Sequence, residues 1–168
     1  ANGTIGGNVM NASPAMDTGG PLLCFGASAD LRSASGERAL PLEQLWIGPG
    51  ATAADPRELL VRVDVPAPAP ATGSAYVRLE YRRQMEIAVV GVTAVVRLDA
   101  GSVSDARVAI TALAPTIRRV SEAEAALIGS DGGDEAIAEA ARAAASGSSP
   151  ITDVRSSAEY RSAMTNVI

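Results

Sequence analysis

Thr4-Ile5-Gly6-Gly7-Asn8, with Asn11-Ala12-Ser13-Pro14 and Asp17 close behind it, is the most informative stretch of the chain. The paired glycines permit positive φ and close approach, so successive backbone N–H groups can converge on phosphate oxygens. A glycine pair alone more often marks an ordinary tight turn. Asp17, nine residues beyond Asn8, can accept hydrogen bonds from sugar hydroxyls, as acidic residues do in dinucleotide sites. By position it also reads as the N-cap of a helix beginning near Thr18, and its two oxygens allow both roles. Ser13 reads as a turn residue.

Around this stretch the composition narrows the chemistry. A chain of 168 residues, 47% hydrophobic, suits one ordinary domain or two small ones sharing an interface. The net charge of −5, with Arg and acidic residues interleaved, leaves no basic stripe for a nucleic-acid backbone. There is no His, and all 14 basic residues are Arg. The usual general base, the commonest metal ligand, the Schiff-base amine and the phosphate-loop lysine are therefore missing. No residue is assigned a catalytic or metal-binding role. Cys24 is the single cysteine, so neither a disulfide nor a Cys-only metal cluster can form within the chain. Set in Leu22-Leu23-Cys24-Phe25, it reads as a small buried hydrophobe. Redox chemistry would have to come from an organic cofactor. No apolar run reaches the roughly 20 residues that span a bilayer, and no secretory leader is evident, so a cytoplasmic location is expected. Ala1-Asn2-Gly3-Thr4 runs into the glycine loop with no preceding strand or helix, which reads as a chain whose natural beginning is missing.

The run Pro66-Ala67-Pro68-Ala69-Pro70 and the following Ala71-Thr72-Gly73-Ser74 form an extended connector, placing a boundary between residues 1–68 and 69–168. Before it, Leu22 to Phe25 predicts a short helix closing at Gly26, and Ala29–Ser33 with Arg38–Leu42 predicts a hairpin. Leu59–Val65 alternates from Val61 onward, which predicts a strand with one buried face. After it, Ala75–Arg82, Ile87–Leu98 and Ala106–Leu113 predict three sequential antiparallel strands. Ser121 and Glu124 make a capping box for a helix to Gly129, Asp134–Ser146 is a second helix, and Ser157 to about Val167 a third. The class is α+β: a mixed first segment, then a three-stranded sheet with a helical bundle.

The string TIGGNVMNASPAMDT closely resembles the second FAD-binding motif in the flavoprotein (medium) subunit of the molybdenum hydroxylases, the family of xanthine dehydrogenase and aerobic carbon monoxide dehydrogenase. LWIGPGATAADPRELL, YRRQMEIAVVGVTAVVRLD and SPITDVRSSAEYR resemble later blocks of that subunit, in the same order. The resemblance implies the second part of a vanillyl-alcohol-oxidase-like FAD-binding domain over 1–68 and a small flavoprotein C-terminal domain over 69–168.

On that resemblance Thr4, Ile5, Gly6, Gly7 and Asn8 wrap the FAD pyrophosphate, and Asp17 binds a cofactor hydroxyl. Leu60 packs against the cofactor's apolar rings, although by itself it reads equally as a core leucine. Arg78 stands where the family commonly has Lys near the flavin, and on residue chemistry alone it reads as a solvated strand residue. Glu86-Ile87 occupies the place of an acidic-apolar pair beside the isoalloxazine. Arg82-Arg83 reads as a charged surface turn, and Trp46 and Tyr160 as core or interface anchors.

The function implied is that of the FAD-binding subunit of a multi-subunit hydroxylase. Molybdopterin would lie on a large partner subunit and two [2Fe–2S] clusters on a small one, with electrons leaving through FAD to NAD, oxygen or a quinone. The family's preceding α/β subdomain, roughly a hundred residues, is expected elsewhere, on a longer chain or a separate one. Other readings are a binding or assembly module with an incomplete flavin pocket, or a stand-alone flavin reductase.

Overall fold

The computed structural model describes residues 3–82 and 85–168. Ala1, Asn2, Arg83 and Gln84 lie outside the described residues, and with them the second member of the Arg82-Arg83 pair.

The glycine pair, read as an anion-binding turn, opens a helix. Thr4 is the N-cap of α1 (Ile5–Met10), its hydroxyl accepting from the Gly7 N–H at 3.0 Å. Neither Gly6 nor Gly7 has positive φ. What matters at Gly7 is the missing side chain, because a Cβ there would lie 3.1 Å from the capping Thr4 hydroxyl. Helix α2 (Gly19–Cys24) begins earlier than the expected Leu22 because Gly19, Gly20 and Pro21 form its first turn, where proline sacrifices no helical bond. Its N-cap is Thr18, with no side-chain bond. The capping role considered for Asp17 is therefore excluded; the carboxylate is engaged elsewhere.

Strands β1 (Ser28–Ser33) and β2 (Gly36–Pro41) form the expected hairpin around Ala34-Ser35. A short α3 (Leu42–Leu45) leads to β3 (Trp46–Gly48) and β4 (Ala51–Thr52), which pair with each other. β5 (Leu59–Asp64) joins the other edge of β1, giving the order β2-β1-β5. β5 departs from the alternation read in its sequence. Ala29 pairs with Val63 and Asp30 with Arg62, but Leu31 pairs with Leu60, so Val61 is the extra residue of a bulge and the face inverts across it. Leu60 and Val63 pack on the core, while Leu59, Val61 and Val65 are exposed.

β6 (Thr72–Leu79), β7 (Val90–Asp99) and β8 (Ser102–Thr111) are the three sequential antiparallel strands. A two-residue β9 (Arg118–Arg119) adds a fourth strand beyond Pro115. Helices α4 (Ser121–Leu127), α5 (Asp134–Ser146) and α6 (Ala158–Thr165) follow. Of these three, α6 is capped by a side chain, Ser157 accepting from the Tyr160 N–H. The capping box expected at α4 does not form. Glu124 is buried instead and binds Arg119 through both oxygens, at 2.7 Å each, while also accepting from the Val108 N–H. Its carboxylate joins helix to sheet because Arg119 and the buried Val108 amide hold it more strongly than the Ser121 amide could.

The four-stranded sheet separates two apolar cores. Val90, Val108 and Ile110 point to the layer of α4 and α5. Val95 and Ala109, one residue out of phase, enter a core built mostly from the first segment, with Val9, Leu23, Leu31, Leu45 and Trp46. Helix α2 lies against this second face at Gly20, and the Arg107 guanidinium donates to the Cys24 carbonyl at 3.1 Å.

Candidate functional site

Thr4, Ile5 and Gly7 are exposed, with Gly6 and Asn8 half-buried. The N–H groups of Ile5 and Gly6 precede the first intrahelical bonds, as at every helix start. No acidic residue occupies the first turn of α1, so the helix end favours an anion without a competing charge. The turn is held from below: the Trp46 indole N–H donates to the Val9 carbonyl at 3.0 Å, with both residues buried. Leu60 lies beside it, since a methyl at Gly6 would be 3.7 Å from Leu60 Cδ2.

Asp17 follows from the same segment. The Thr18 hydroxyl donates to Asn8 Oδ1, tying the residue after Asp17 to the end of the TIGGN run. The Tyr76 hydroxyl donates to Asp17 Oδ1 at 2.7 Å. Arg78 pairs with the other Asp17 oxygen and with Glu80. Burial, and then the bond to Asp17, push the Tyr76 phenol well above its ordinary range, so it is a neutral donor.

The structure thus joins Thr4–Asn8 to Leu60 and Asp17 to Arg78, with Asn8 and Thr18 linking the two groups. Tyr76, Glu80 and Thr18 were not singled out in the sequence. A signal for two of them was there: Tyr76, Arg78 and Glu80 alternate along one strand, which puts three polar side chains on one face.

The other residues read from the sequence lie outside this group. Cys24 is buried, and burial pushes its thiol up to about 12, so it is inert as a thiolate. Glu86 accepts from the Ile87 N–H at 3.0 Å and pairs with Arg82 at 3.2 Å. Tyr160 is half-exposed on α6. Among the described residues no group of three or more His, Cys, Asp or Glu is placed to hold a metal ion, and no helix is long and apolar enough to cross a membrane.

The donor set suits one kind of ligand: uncommitted backbone N–H groups for a diphosphate, a braced carboxylate for a hydroxyl, and a leucine for an apolar ring.

Comparison with known proteins gives the family. Residues 1–68 match the model of the FAD binding domain in molybdopterin dehydrogenase, and residues 75–168 that of the CO dehydrogenase flavoprotein C-terminal domain. The chain is 33% identical to the carbon monoxide dehydrogenase medium chain of Hydrogenophaga pseudoflava, over 96% of this chain and 56% of that one. It is 36% identical to subunit alpha of the 6-hydroxypseudooxynicotine dehydrogenase complex of Paenarthrobacter nicotinovorans, over 95% of this chain and 54% of that one. A solved carbon monoxide dehydrogenase from Hydrogenophaga pseudoflava, lacking the Mo-pyranopterin moiety of its molybdenum cofactor, superposes with a TM-score of 0.94 at 36% identity, over 98% of this chain and 57% of that one. The chain spans a little over half the length of these relatives.

Proposed function

The chain belongs to the CO dehydrogenase flavoprotein C-terminal domain family, preceded by an FAD-binding domain of the molybdopterin dehydrogenase type, and from this we propose that it binds FAD as part of the medium subunit of a molybdenum hydroxylase. The observation that carries the reading is the joined surface of the Thr4-capped helix start, Leu60 and Asp17.

Residues 1–68 form the later part of the flavin domain and 69–168 the C-terminal domain. Thr4 and the free amides of Ile5 and Gly6 face the pyrophosphate, while Gly7, whose N–H is held by the Thr4 hydroxyl, leaves the backbone bare and Asn8 closes the first helical bond to the Thr4 carbonyl. Asp17 accepts a cofactor hydroxyl, Leu60 offers an apolar surface to the rings, and Arg78 supplies positive charge beside Asp17. FAD held by these residues would supply two-electron and one-electron chemistry, linking [2Fe–2S] clusters on a small partner subunit to NAD, oxygen or a quinone as acceptor. Hydroxylation belongs to molybdopterin on a large partner subunit, in the cytoplasm. Within this chain the residues bind and orient only; with no His or Lys, no proton-transfer catalyst is required of it.

The test is flavin content. The complete flavoprotein should bind FAD with the absorbance bands of bound flavin, and Gly7→Val should lose it, because the new side chain would press on the Thr4 hydroxyl and crowd the amides. Unchanged flavin in the variant would refute this placement of the pyrophosphate, and a flavoprotein that takes up no FAD would refute the function.

A further inference from the structure

Among the described residues Asp17 takes no brace from its own segment. Its side chain is 41% exposed, and the two groups that hold it, Tyr76 and Arg78, come from β6, beyond the Pro66–Pro70 connector. The seat for Tyr76 is Gly91 on the neighbouring strand: a Cβ at Gly91 would fall 2.9 Å from the Tyr76 hydroxyl and 3.1 Å from its ring. Arg78 pairs across Gly91 in the same ladder. Gly91 thus leaves room for the phenol to lie over β7 and reach Asp17.

We infer that Tyr76 is a positioning residue for cofactor binding, its hydroxyl orienting the Asp17 carboxylate so that the exposed part of that carboxylate accepts a hydroxyl of the cofactor's ribityl chain or ribose. The inference rests on the flavin reading above. A carboxylate oxygen has two acceptor directions, and one donor from Tyr76 uses one of them on Oδ1. Arg78 restrains Oδ2 in the same way and is itself shared with Glu80. With one direction of each oxygen fixed, rotation of the carboxylate is restricted and its remaining acceptors have defined directions. Without Tyr76 the group can turn toward Arg78 alone, and a hydroxyl must order it on binding. Tyr76 stays protonated in this role because burial and Asp17 both oppose loss of its proton. The C-terminal segment thereby sets the geometry of a site whose anion-binding residues lie entirely in the first.

The experiment compares the complete flavoprotein with its Tyr76→Phe variant, which keeps the ring over Gly91 and loses the hydroxyl alone. Apoprotein of each is titrated with FAD and with FAD analogues that lack single ribityl or ribose hydroxyls. A hydrogen bond to a charged acceptor is worth about tenfold in affinity. The unsubstituted protein should therefore bind one analogue about tenfold more weakly than FAD. In Tyr76→Phe that discrimination should shrink to about twofold, with the fold retained and the melting temperature only modestly lowered. Gly91→Ala, which displaces the phenol, should reproduce the loss, and the identity of the sensitive analogue tells ribityl chain from ribose. Full discrimination retained in Tyr76→Phe overturns the inference while leaving the flavin function standing, as does unsubstituted protein that binds FAD but discriminates against no analogue. Failure of the unsubstituted flavoprotein to bind FAD at all overturns the function, and the inference with it.

Discussion

Gly20 shows what a single missing side chain permits. It brings α2 onto the sheet so closely that a methyl there would overlap the Thr93 hydroxyl and lie 3.1 Å from that of Thr111. Both threonines are buried and, among the described residues, neither hydroxyl has a hydrogen-bond partner. Gly20→Ala must lift the helix or bend the strands, and overpacking of this kind costs about 1–3 kcal/mol. Urea denaturation should show a lower midpoint with an unchanged slope. Thr93→Val, close in volume and without the unpaired hydroxyl, should be neutral or stabilising; a loss as large as that of Gly20→Ala would mean that the hydroxyl has a partner. The sequence could not separate the roles of its glycines. Gly7 and Gly20 look alike in a string, yet one preserves a cap and the other a helix–sheet approach, and that difference depends on residues tens of positions away.

Elements announced themselves where local chemistry was sufficient. The β1–β2 hairpin, the β6–β8 ladder and α5 follow from alternation, turn residues and charge placement, and all are present. The failures at this scale share a cause, in that tertiary partners took residues assigned to local roles. Glu124 left the α4 cap for Arg119 and Val108, and the Val61 bulge inverted the face of β5. The same β5 region has a clamp with a measurable consequence. Arg38 of β2 donates to both oxygens of Glu58, at 2.7 and 2.8 Å, and to the Ala53 carbonyl at 2.9 Å. These Arg38 bonds, aided by the Asp55 N–H, lower the Glu58 pKa from 4.5 to about 2. A depressed carboxylate stabilises the fold fully above its unfolded pKa and loses that contribution as pH falls through its folded one. The clamp therefore contributes at pH 7 and fades between about 4.5 and 2. Arg38→Gln should be less stable than the unsubstituted chain at neutral pH, and the gap should close on acidification through that window. A gap that stays constant down to pH 2 would show that the guanidinium acts through packing or Ala53 and not through the Glu58 charge. The Arg38 partner is nearly half exposed, so the neutral-pH difference should also shrink with added salt.

At the scale of the molecule, the connector at Pro66–Pro70 was legible and the joint across it was not. Proline spacing marks an extended stretch by local rules, whereas the joint is made of contacts that no short window contains. Val95, Ala109 and Ile117 complete the core of the first segment, Arg107 holds the Cys24 carbonyl, and Tyr76 and Arg78 hold Asp17. The candidate site was legible to a similar extent: the resemblance picked out its residues in the first segment and Arg78, but neither Tyr76 nor the pairing of Arg78 with Asp17. If these contacts join the segments energetically as well as spatially, the sequence boundary is not a folding boundary. Removing residues 69–168 would uncover the face of α2 with Gly19, Gly20 and Cys24 on one side and Val95, Ala109 and Ile117 on the other, apolar surface that neither piece can readily leave in water. A protease recognition sequence inserted at Ala69, in a loop that is exposed throughout, tests this without altering either core. After cleavage the two pieces should elute together on size exclusion and melt in one calorimetric transition with equal calorimetric and van't Hoff enthalpies. Two separate transitions, or pieces that part under native conditions, would show two independent domains in light contact. In that case Asp17 would lose its brace whenever they separate, and flavin release on cleavage would report it.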